Sequence, residues 1–124
     1  MGPVGSVFPE VQTARQFPSG ANRSDDSGKP NYVGYLSPIV IERFGRYMLA
    51  HQYGGLRSAD NWKKGIPKQA YLESMLRHFL TLWFTHEVYG NKEFPKDCTN
   101  TVQEALCALL FNVQGYLHEE LRDS

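Results

Sequence analysis

A chain of 124 residues with 13 Lys plus Arg against 13 Asp plus Glu has no formal net charge. That removes any whole-surface case for nucleic acid or an anionic membrane as partner. Hydrophobic residues are 41% and aromatics 13%, enough for one core in one domain, and no apolar run reaches the roughly 18 residues of a membrane span. Cys98 and Cys107 are too few for a disulfide framework and lack the close histidines of a zinc site, so both are expected as reduced thiols. With no secretory pattern at the start, the expected location is the cytoplasm, which is the host cytoplasm if the source is viral.

Residues 1–27 are expected to be a flexible N-terminal tail or arm. Pro3, Pro9 and Pro18 and the Ser, Gly and Asp residues between Ser19 and Gly28 give no sustained period and little apolar area to bury. Residues 28–124 then form one helical domain. Ser37-Pro38 opens a first helix, because Ser caps and Pro suits the first helical position. Val40, Ile41, Phe44, Tyr47, Met48 and His51 recur along one face to Tyr53, where Gly54-Gly55 ends the helix. The stretch from Gly54 to Pro67 reads as an irregular loop holding Trp62.

A second helix is expected over residues 67–88, with Leu72, Met75, Leu76, Phe79, Leu82 and Trp83 as its core stripe and His78 on the flank. Tyr89 to Asn100 reads as a second loop. Thr101-x-x-Glu104 resembles a capping box opening a third helix over residues 101–121. Its main stripe is Val102, Ala105, Leu106, Leu109, Val113, Tyr116 and Leu117. Its other face carries Glu104, Cys107, Ala108, Phe111 and Gly115, so the helix is apolar nearly all round and is expected to be central or to join subunits. Ala108 and Gly115 would admit another helix closely. The fold expected is all-α, a small three-helix bundle with irregular loops, assembling into a homo-oligomer through the last helix.

Glycine-rich phosphate loops and nucleophile elbows are absent. The strongest chemical candidate is the loop from Arg57 to Lys64. There Arg57, Lys63 and Lys64 can meet phosphate oxygens, Asn61 a polar edge, and Trp62 the face of a base. The alternative is a core Trp beside solvated lysines. Arg77 and His78 follow, as phosphate contact and as general base or ligand; a hydrogen-bonded structural His is the alternative. Glu104 is either a helix cap or a metal-binding or acid–base carboxylate, and Glu73 is the other interior acid.

Several segments together resemble a family found mostly in bacteriophages. Gly28-Lys29-Pro30-Asn31-Tyr32, Leu36-Ser37-Pro38 and Tyr53-Gly54, then Asp60-Asn61-Trp62-Lys63-Lys64-Gly65-Ile66-Pro67, then Arg77-His78-Phe79 with Trp83, are similar to the motifs of the dATP/dGTP diphosphohydrolase N-terminal domain family, of MazG-like nucleotide pyrophosphohydrolase type. The resemblance spans residues 28–121. It implies cleavage of purine deoxynucleoside triphosphates to monophosphate and pyrophosphate with a divalent metal such as Mg²⁺, and functional roles for Asn61, Trp62, Lys64, Arg77 and His78. Where the family carries two histidines at the start of its last helix, this chain has Thr101 and Glu104.

The reading is a nucleotide-handling protein of diphosphohydrolase type. Arg57, Asn61, Trp62, Lys63, Lys64 and Arg77 would bind nucleotide. His78 and Glu104 would be catalytic, and Glu104 and Glu73 would hold Mg²⁺. Few interior carboxylates leave open a binder without turnover, one that sequesters a nucleotide or nucleotide signal. A structural or partner-binding protein is the third reading.

Overall fold

The computed structural model describes residues 14–53, 58–89 and 96–123, with backbone only for Tyr53 and residues 96–100. The chain divides into two compact units, residues 1–37 and residues 38–123. Among the described residues the fold is all-α apart from one two-stranded hairpin. Among the described residues no helix is long and apolar enough to cross a membrane.

The hairpin lies in the stretch expected to be a tail. Strand β1, Ala14–Gln16, pairs antiparallel with β2, Asn22–Ser24. Between them, Phe17-Pro18-Ser19-Gly20 closes on a bond from Gly20 N to the Phe17 carbonyl at 2.9 Å. Pro18 presets the turn, and Gly20 takes φ 91°, which side chains disfavour. Arg15 donates to the Ser24 carbonyl at 3.1 Å and reaches Asp26 at 3.6 Å. Composition hid the hairpin because its pairing is carried by turn chemistry and not by apolar alternation. Helix α1, Tyr32–Tyr35, follows, capped by the Asn31 side chain accepting from Gly34 N at 3.1 Å.

Three long helices form the second unit: α2 (Pro38–Tyr53), α3 (Lys68–Tyr89) and α4 (Lys96–Arg122). A 3-10 turn, Asn61–Lys64, occupies the expected irregular loop and ends at Gly65, φ 98°. Helix α4 starts five residues before Thr101. Thr101 and Glu104 therefore stand inside the helix and do not cap it.

Helices α3 and α4 pack antiparallel. Tyr71 lies over Gly115, while at the near end Lys68 Nζ reaches Glu120 at 2.7 Å and Asp123 at 3.1 Å. These two carboxylates hold the Lys68 ammonium pKa above the ordinary lysine range. The buried face of α4 is Ala105, Ala108, Asn112, Gly115 and Glu119, together with Val102 and Cys107. Val102 and Ala105 of the expected main stripe are buried as expected, but the rest of the buried face comes from the side expected to be secondary. Small residues let α3 approach, so Ala108 and Gly115 are consumed inside the chain, whereas Leu106, Val113 and Leu117 of the expected main stripe stay exposed. On α3 likewise, Tyr71 is the buried side chain, and Leu72, Leu76, Phe79 and Trp83 are exposed. Cys107 is a buried free thiol; the Cys98 side chain lies outside the described residues.

Candidate functional site

A groove runs between α2, α3, α4 and the 3-10 turn as three adjoining cavities of about 350, 500 and 260 Å³. The middle one lies within the range of ligand pockets, roughly 300–1,000 Å³. Tyr47 and His51 line all three. They stand one turn apart on α2, with ring centroids 4.2 Å apart. His51 Nδ1 sits 2.9 Å from the Tyr47 carbonyl oxygen. A carbonyl only accepts, so Nδ1 carries the proton and the neutral ring keeps its Nε2 lone pair.

At one end the walls are Trp62, Asn61, Met48 and Phe111. Trp62 is half-buried and meets the His118 ring edge-on, centroids 4.7 Å apart at 84°. Lys63 Nζ lies 5.4 Å from the Trp62 ring centroid. Trp62 is thus anchored to α4 while one side of it borders the cavity. The middle cavity brings Asn61 together with Arg77, His78, Ser74 and Asn112. At the far end His78 meets Thr81, Thr101 and Glu104. Helical spacing explains the line-up: Ser74, Arg77, His78 and Thr81 recur every three or four residues along one side of α3.

The sequence candidates therefore separate. Asn61, Trp62, Arg77, His78 and Glu104 border the groove. Lys63 and Lys64 are exposed and line none of its cavities, and Arg57 lies outside the described residues. Beside the lysines, Asp60 is held below the usual carboxylate range, first by the Ser58 hydroxyl and its own backbone and then by Lys64 and Lys63. Glu73 borders none of these cavities and accepts from Gln69 at 3.2 Å. Among the described residues no three of His, Cys, Asp and Glu are grouped to hold a metal ion, so the residues present do not by themselves fit the Mg²⁺ that the resemblance implies. Tyr47 and His51, central to the groove, escaped sequence reasoning because they sit on an apolar stripe; a polar-tipped pair four apart on such a stripe was the available signal.

No family model, curated protein or solved structure matches the chain.

Proposed function

We propose that the groove binds a purine nucleoside triphosphate and that the protein is a phage nucleotide-handling protein similar to the dATP/dGTP diphosphohydrolases. One observation carries the reading: Asn61, Arg77 and His78 line a common cavity of about 500 Å³, with Trp62 bordering the next. In this reading the base stacks beside Trp62, since any base offers a π face. Asn61 supplies a polar edge, Arg77 pairs with phosphate oxygens, and a His78 ring N–H donates to the phosphate chain. Cleavage to monophosphate and pyrophosphate rests on the sequence resemblance, and no step through a metal is drawn from these residues. The protein acts as a homo-oligomer in this reading.

A second reading, a binder without turnover, is favoured by the single carboxylate, Glu104, among the described residues that line the groove. Thermal-shift measurements with the purine and pyrimidine deoxynucleoside triphosphates, with and without Mg²⁺, test both. A ligand at a hundred times its Kd stabilises the native state by about 2.7 kcal/mol. Stabilisation by purine triphosphates is expected; release of pyrophosphate separates the enzyme from the binder. No stabilisation by any nucleotide defeats the reading.

A further inference from the structure

We infer that a second copy of the chain covers the outer face of α4 alone, its own α4 pairing with the first antiparallel about a two-fold axis. The inference deepens the self-association proposed above by naming its surface, and it does not depend on nucleotide binding.

The neighbours of α4 leave one sector of it open. Tyr71 over Gly115, and Lys68 on Glu120 and Asp123, put α3 on one side. Trp62 against His118, and Arg43 Nε donating to the Gln103 side-chain oxygen at 2.9 Å, put the 3-10 turn and α2 on another. Between them lie Leu106, Leu110, Val113, Leu117 and Leu121. At 100° per residue these five fall within about 80° of one another, and they point roughly 170° away from Ala108, Asn112, Gly115 and Glu119. Each is 43–54% exposed. Among the described residues α4 carries every buried side chain but Tyr71, so the helix that supplies the core also holds an apolar strip against water.

The strip is self-complementary. Its steps of four, three and four from Leu106 to Leu117 are the alternating seam by which two helices interlock. An antiparallel copy whose Leu117 lies level with Leu106 also sets its Val113 level with Leu110, and the two-fold repeats both layers on the other half. The same register puts Gln103 level with Glu120 of the second copy, so the next layer sets an amide against an acid and no like charges meet. No Lys, Arg, Asp or Glu falls among the five. About half exposed, they leave on the order of 450 Å² per copy; with the half-buried Leu109 and Tyr116 beside them, a pair covers about 1,000 Å², the least that a specific interface needs. A foreign helix would have to supply this spacing, whereas the chain already carries it.

Sedimentation of the full chain at tens of micromolar is expected to show a monomer–dimer equilibrium. Replacing Leu110 and Leu117 together by Ala keeps helix propensity and is expected to raise the dissociation constant at least tenfold. Leu76→Ala, on the exposed side of α3, should change it little. Register is tested by mixing a Leu106→Cys chain with a Leu117→Cys chain under mild oxidation. The mixture is expected to cross-link, and neither variant alone to do so beyond the native chain, whose Cys98 and Cys107 set the background. A monomer throughout overturns the inference. So does a dimer indifferent to the double substitution, a dimer that Leu76→Ala weakens equally, or cross-linking of each variant with itself. Nucleotide shifts in the thermal panel are read separately, so either idea can fail alone.

Discussion

The Tyr71 ring lies directly over the α-carbon of Gly115, where an added methyl would overlap it. This contact sets how closely α3 approaches α4. Gly115→Ala is therefore expected to destabilise the protein by about 1–3 kcal/mol, the usual cost of overpacking, even though alanine is the better helix former by about 1 kcal/mol. Urea unfolding measures it. The penalty should shrink when Tyr71 is also replaced by Leu; an equal penalty in both backgrounds would show that the ring is not the obstacle.

Tyr71 is 2% exposed, and its hydroxyl has no hydrogen-bond partner among the described residues. Tyr71→Phe removes an unsatisfied buried group and is expected to stabilise the fold by about 1 kcal/mol. Burial first, and the charge of Glu119 second, push the hydroxyl above its ordinary pKa of 10.0. The folded state thus keeps its proton when the unfolded chain has lost it. Below pH 10 both states keep the proton, and the phenol adds no pH dependence. Above it, stability falls until the folded pKa is passed. The Phe variant should lack this part of the alkaline decline, and an identical decline in both proteins would contradict the assignment.

The helices could be read from the sequence, but their faces could not. Pro38 and the 3.6-residue period located α2 and α3 because both signals are local. Which stripe meets which neighbour is a tertiary matter. Leu106, Val113 and Leu117 are the more hydrophobic set on α4, yet Ala105, Ala108 and Gly115 won the intrachain contact because backbones approach closest over small side chains. Glu104 looked like a cap only while the helix start, at Lys96, was hidden in a polar stretch. Residue chemistry alone singled out Asn61, Trp62, Arg77, His78 and Glu104, which border the groove. It could not find His51, whose place in the groove depends on α2 lying across α3 and α4.

Trp62 holds the 3-10 turn against α4 through His118. A double-mutant cycle with Trp62→Ala and His118→Ala should give a coupling of about 0.5–1.5 kcal/mol, typical of an aromatic pair beyond its area. Trp62→Ala should keep its far-UV helical spectrum, because the side chain is half-buried and lies outside the long helices. The same variant should lose roughly 1–3 kcal/mol of nucleotide binding, the contribution of a stacked base. A folded Trp62→Ala protein that binds purine triphosphates normally removes this residue from the site.

Glu104 decides what sits at the far end of the groove. It lines one cavity with His51, His78 and Thr101, and a triphosphate chain extending from Trp62 past Arg77 would bring its negative charge toward this carboxylate. Two unit charges about 4 Å apart interact by about 4 kcal/mol at an effective dielectric of 20, and by about 1 kcal/mol in water. A metal-free triphosphate should therefore bind several-fold more tightly to Glu104→Gln than to the native chain, with the gain growing as salt is lowered. Calorimetric titration in EDTA at two ionic strengths measures this. A Glu104→Gln variant that binds more weakly in EDTA would mean that the carboxylate accepts a hydrogen bond from the ligand. The phosphates would then lie elsewhere, and the base would occupy the far end beside His78.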